Sequence, residues 1–153
     1  MLSLFNRKPE NSFPEQEKKL IADAIGQAER HTSGEIRVFI ESRCRFVNPL
    51  DRAAEIFWAL KMDLTAARNG VLVYVAMKDR QLAIFGDEGI HQKVGYAFWN
   101  EEVKKMLQHF NRDDYAAGIA QIVRDTGAAL AQHFPYDGAT DKNELPDDIV
   151  FGK

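Results

Sequence analysis

A chain of 153 residues with 45% hydrophobic content can build one sizeable core, and two domains of half that length would each be marginal. Its 20 basic and 23 acidic side chains leave a net charge of -3, without the basic excess that displaces counterions from phosphate, so nucleic acid is not an expected partner. The lone Cys44 makes neither an internal disulfide nor a cysteine zinc site, the apolar start Met1–Phe5 is broken at once by Arg7 and Lys8, and every later apolar run falls short of the ~18 residues of a membrane span. A cytoplasmic protein with no membrane partner is expected.

Ser12 to His31 read as the first helix. Ser12 and Glu15 have capping-box spacing, Pro14 suits a first turn, and Leu20, Ile21, Ala24, Ile25 and Ala28 share a face. Gly34 ends that stretch, and Glu35 to Ser42 alternate as a strand with Ile36, Val38 and Ile40 on one side. The other side, Arg37, Phe39 and Glu41, is expected to be partly covered or near a site. Asn48-Pro49 with Asp51 opens a second helix running to about Met62, with Ala54, Phe57, Trp58 and Met62 as its core face.

Gly70 opens Val71 to Ala76, a β-branched run expected to be a central strand buried on both faces. Lys78-Asp79-Arg80 is a turn, so the following strand, Leu82 to Phe85, is an antiparallel neighbour. Helical character then returns, in a short piece around Ile90 to Val94 and a longer one from Ala97 to Phe110. The last helix, Tyr115 to Phe134, carries a small-residue stripe of Ala116, Ile119, Ala120, Val123, Ala128 and Leu130, with Asp113-Asp114 as its cap. An acidic tail follows, at whose end Ile149-Val150-Phe151 can dock. The expected fold class is α/β: a Rossmann-like αβα three-layer sandwich on a small mixed β-sheet, lacking the GxGxxG turn of dinucleotide binders.

Several stretches together resemble the TPM domain: Thr32-Ser33-Gly34-Glu35-Ile36-Arg37-Val38, Arg68-Asn69-Gly70 with the strand after it, Asp79-Arg80, Gly86-Asp87-Glu88-Gly89-Ile90, and the ending Asn143-Glu144-Leu145-Pro146-Asp147-Asp148-Ile149. The resemblance is to the short bacterial forms and implies a TPM domain over residues 12–135 with an acidic tail over 136–153. It further implies a Rossmann-like sandwich and, in some members, a divalent cation on an acidic cluster near the sheet's edge. An acid-phosphatase activity is proposed for plant members. Where several relatives carry an acidic residue this chain has Tyr96, a departure from the family's metal ligands.

The sharpest candidate for chemistry is Gly86-Asp87-Glu88-Gly89, between a strand and a helix, where α/β folds place ligands. Adjacent carboxylates can supply oxygens to Ca²⁺ or Mg²⁺, or else cap the helix and meet its dipole. Asp87 is the first candidate ligand, with Glu88 and Asn69 beside it, Arg68 as an anion contact and His91 as a neighbour. Asn69 reads equally as the turn residue of Asn-Gly. A two-step phosphatase needs an aspartate or cysteine nucleophile, a positioned acid and a phosphate cradle, a constellation not readable here, and Cys44-Arg45-Phe46 lacks the glycine-rich anion loop that would activate a thiol. The expected function is a non-catalytic domain that binds a divalent cation or a protein partner. The alternatives are a metal-assisted phosphatase acting on small phosphomonoesters, or a partner-binding protein without metal that uses the tail or Phe98-Trp99.

Overall fold

A computed structural model describes residues 13–138 and 149–152. The elements follow as α1 (Glu15–Glu29), β1 (Glu35–Glu41), α2 (Pro49–Ala59), a 3-10 turn (Met62–Leu64), β2 (Gly70–Ala76), β3 (Gln81–Gly86), α3 (Glu88–Asn111), α4 (Tyr115–His133) and β4 (Ile149–Phe151). The sheet order is β3-β2-β1-β4. The α2 crossover carries the chain back over the sheet, so β1 and β2 run parallel, from Glu35↔Gly70 to Glu41↔Ala76. The turn before Gln81 instead forces an antiparallel pair, Val71↔Gly86 to Ala76↔Gln81. The docking segment after the tail is a strand, paired parallel to β1 through Val38↔Ile149.

Strand alternation sorts the core into two layers. Ile36, Val38, Ile40, Val71, Val73, Val75, Leu82 and Ile84 pack with α1, α3 and α4. Phe39, Leu72, Tyr74, Ala76 and Ala83 pack with Ala53, Ile56 and Phe57 of α2. The αβα sandwich expected from the sequence is therefore present, with β2 buried along its whole length. Each fully buried aliphatic side chain contributes about 1.5–3 kcal/mol, so β2 anchors both layers.

The second face of β1 is buried, more fully than its polarity suggested. Glu41 accepts hydrogen bonds from Arg52 Nε and Nη2, both at 2.9 Å, and from the Tyr74 hydroxyl. Paired in this way, a carboxylate can enter the interior. Burial, the largest cause, and the bond to Glu41 both raise the Tyr74 pKa.

Other expectations need correction. Helix α2 ends at Ala59 and buries Ala53, Ile56 and Phe57, while Trp58 is 50% exposed, because it lies about 100° round the helix from Phe57. Ala128 is likewise exposed on α4. Asp114 occupies the N-cap position of α4 without a capping side-chain bond. Instead it faces His109, and Asp113 accepts from Arg80 and Tyr115. Asn48 does cap α2, accepting from Leu50 N at 2.9 Å. Helix α1 starts at Glu15 with Pro14 as its cap residue, and Ser12, the expected cap, lies outside the described residues, as does most of the tail. The two predicted helical pieces after Gly86 form one element broken at Gly95, whose φ of 76° no other residue type adopts readily. Among the described residues no helix is long and apolar enough to cross a membrane.

Between α3 and α4 lies a buried acid, Glu102. One oxygen accepts from Lys105 Nζ at 3.1 Å, and Oε1 is buried with no partner among the described residues. Burial, reinforced by the neighbouring Asp125 carboxylate, pushes its pKa up to about 7. A carboxyl group with a raised folded-state pKa binds more protons folded than unfolded. Its contribution is therefore present below the unfolded value of 4.5 and is lost as pH rises to about 7. Thermal melts across that window should show the wild type losing more stability with rising pH than Glu102→Gln. Parallel profiles would contradict the assignment.

Candidate functional site at the open edge of the sheet

The segment before β2 turns sharply at Arg68, a non-glycine residue with φ of 52°. That turn aims the Arg68 carbonyl at the start of α3, where it accepts the N–H of Gly89 at 2.8 Å. A Cβ on Gly89 would fall 2.1 Å from Ala67 O, so this close approach requires glycine. The same turn sends the guanidinium to Asp87. Arg68 Nε donates to Oδ2 at 2.7 Å and Nη2 to Oδ1 at 2.8 Å, a bidentate pair on a carboxylate only 3% exposed. Asp87 is also the N-cap of α3, accepting the Glu88 N–H at 2.8 Å. Glu88 is largely exposed and lies 3.3 Å from Arg68 Nη1. Hydrogen bonding to Asp87 is the main cause of a raised Arg68 pKa, so the guanidinium stays charged.

Of the five residues singled out from the sequence, Arg68, Asp87 and Glu88 form one cluster. His91 stands one helical turn beyond Asp87; its Nδ1 accepts from Trp99 Nε1 at 3.1 Å and its ring meets Tyr96 edge-on. Asn69 engages different neighbours: its amide donates to Ser33 Oγ at 3.2 Å, its N–H donates to Thr65 Oγ1, and its Oδ1 is buried with no partner among the described residues.

The fit of this cluster to a divalent cation can be judged from its donors. Both Asp87 oxygens already accept hydrogen bonds, and a guanidinium occupies the space a cation would need. Asn69 offers its free oxygen among other partners. Among the described residues no three His, Cys, Asp or Glu side chains gather as a metal group. As arranged here, Asp87, Glu88 and Asn69 do not present a shared set of oxygens to Ca²⁺ or Mg²⁺.

Next to this cluster runs a cleft of about 570 Å³ along the sheet's edge. Its floor is β3 from Leu82 to Gly86, one wall carries Leu50 and Trp58, and the other carries Tyr96, Trp99 and Val103. Trp58 and Tyr96 are 50% and 72% exposed, whereas Trp99 is buried on Gly86, where a Cβ would come within 2.4 Å of the indole. The Arg68–Asp87 pair closes one end, with Trp58 5.9 Å from the guanidinium carbon.

Strand β3 has β2 on one side and, among the described residues, no strand on the other. Asp87 donates its N–H to Gly70 O at 2.9 Å, extending the β2–β3 ladder one step past Val71↔Gly86. Antiparallel ladders alternate between residues bonded to the partner and residues facing away. Phe85 and Ala83 therefore bond to β2, while Leu82, Ile84 and Gly86 direct N–H and C=O groups off the edge into the cleft. Among the described residues no turn or helix bonds to those three backbones.

A second cavity of about 550 Å³, at the opposite end of the sheet, is lined by Arg43, Arg52 and Lys78. Arg52 is engaged by Glu41 and Arg43 by Asp79. Sequence reasoning missed the cleft because it placed Trp58 in the core. The available signal was that Trp58 falls off the Ala53, Ile56 and Phe57 stripe.

Comparison with known proteins agrees with the fold. A family model described as TPM domain matches residues 7–129. The solution structure of BA42 protein from the psychrophilic bacterium Bizionia argentinensis is 39% identical, covering 90% of this chain and 94% of that one with a TM-score of 0.81. The N-terminal domain of cg2496 protein from Corynebacterium glutamicum shares the fold at 14% identity, with a TM-score of 0.62 over 92% of this chain and 81% of that one. No curated protein matches. This chain belongs to the TPM-domain family.

Proposed function

We propose that this chain is a non-catalytic binding domain whose ligand lies in the cleft along β3. The observation that carries this reading is an apolar cleft of about 570 Å³ with exposed aromatic rings on both walls and, on its floor, strand backbone without a partner among the described residues. Hydrolysis of phosphomonoesters has less support. Asp87, the buried carboxylate at the cleft's end, has both oxygens bound to Arg68, which opposes nucleophilic attack, and Cys44 bonds to Phe46 O in its own loop.

An apolar fluorescent dye that brightens in hydrophobic surroundings should bind the wild type saturably. Trp58→Ala and Tyr96→Ala, both at exposed positions, should weaken binding while leaving the melt unchanged. Equal dye binding by all three proteins would remove the cleft from consideration.

Weak binding of Ca²⁺ or Mg²⁺ is the second reading, and the orphaned Asn69 Oδ1 is the observation on its side. The committed state of Asp87 weighs against it. EDTA-stripped wild type and Asp87→Ala, titrated with Ca²⁺, Mg²⁺ and Mn²⁺, separate the two. Losing the helix cap alone should lower the stability of Asp87→Ala by about 1 kcal/mol, so the cation-induced shift is compared, not the starting melting temperature. The cleft reading predicts no shift for either protein. A saturable rise confined to the wild type would favour the cation.

A further inference from the structure

The geometry points to an extended peptide as the occupant of the cleft, adding to β3 as a fifth strand and carrying a basic side chain toward Glu88. This inference rests on the cleft being the binding site, and it specifies what binds there. Three observations support it. First, Leu82, Ile84 and Gly86 offer backbone donors and acceptors at every second residue, a row only another extended backbone satisfies in full. From Leu82 to Gly86 that row spans roughly 14 Å, which suits a peptide of about five to seven residues.

Second, the row is recessed. Leu82, Ala83 and Ile84 are each 5% exposed or less, lying between α2 and α3. A single strand can enter such a slot, whereas the edge of a second folded copy would meet Trp58 and Tyr96 first. The walls differ, with Leu50 and Trp58 on one side and Tyr96 and Val103 on the other, so alternate side chains of the incoming strand meet separate apolar surfaces. Third, the closed end is acidic. One guanidinium, Arg68, faces two carboxylates, Asp87 and Glu88, and Glu88 remains largely exposed beside the cleft. A Lys or Arg on the peptide balances that excess and can stack on the exposed Tyr96 ring.

The test is selection of phage-displayed random heptapeptides on the full chain, followed by synthesis and titration of the enriched sequences. Enriched peptides should alternate apolar residues and carry Lys or Arg. N-methylation of every second backbone nitrogen should weaken binding about tenfold, with the intervening positions tolerant, because one charge-free hydrogen bond is lost each time. Glu88→Lys, a change at an exposed position, should weaken the same peptides about tenfold through charge reversal. Binding should slow exchange of the Leu82, Ile84 and Gly86 amides.

No enrichment, or affinity indifferent to N-methylation, would overturn the inference. So would concentration-dependent dimerisation that occupies the edge. If dye still binds in a Trp58-dependent manner while no peptide is enriched, the cleft reading stands and strand addition falls. If neither ligand binds, both fall.

Discussion

The ion pair between Arg68 and Asp87 sets the arrangement of everything at the open end of the sheet. It joins the turn before β2 to the N-cap residue of α3, two segments otherwise linked there by the Gly89–Arg68 backbone bond and the outer Arg68–Glu88 contact. The left-handed turn at Arg68 costs conformational energy, and the return is geometric: carbonyl and guanidinium reach the same helix start. With α3 pinned at that angle, Trp99 seats on Gly86 and Tyr96 stands over the rim. The cleft wall thus depends both on a carboxylate buried beside an arginine and on the break at Gly95 that precedes Tyr96 and Trp99.

Buried charge recurs at the opposite end, where Glu41 is held by Arg52 and Tyr74. Both acids are tolerated because each carries a bidentate arginine and a further donor, which offsets desolvation. The two pairs differ in setting. Arg52 belongs to the helix that covers the sheet, so its pair fastens α2 down, whereas Arg68 lies on a loop and its pair borders open space. That contrast is the reason the proposed ligand site lies at the Arg68 end.

Much of the fold was legible in the sequence. The run from Val71 to Ala76 could only be a strand buried on both faces, Lys78-Asp79-Arg80 is too short for anything but an antiparallel return, and Asn48-Pro49 marked a helix start that holds. The site was legible in part. Glycines around Asp87 and Glu88 drew attention to the right loop, and the capping alternative for Asp87 describes what its carboxylate does. The engagement of that carboxylate by Arg68 was not readable, because it depends on a positive φ that neither arginine nor its neighbours announce. Periodicity also misassigned Trp58: one step around a short helix separates core from rim, and an aromatic residue at that step looks the same in sequence. The open edge of β3 followed from strand order, which no local pattern encodes.

The proposed site depends on the outer edge of β3, which has no strand partner among the described residues, and amide hydrogen exchange of the free chain measures it residue by residue. Ala83 and Phe85, bonded to β2, should exchange slowly, and Leu82, Ile84 and Gly86, directed into the cleft, should exchange faster by orders of magnitude. That alternation is the predicted result. Uniform slow exchange along β3 would mean that its outer edge is already paired, and would contradict the account.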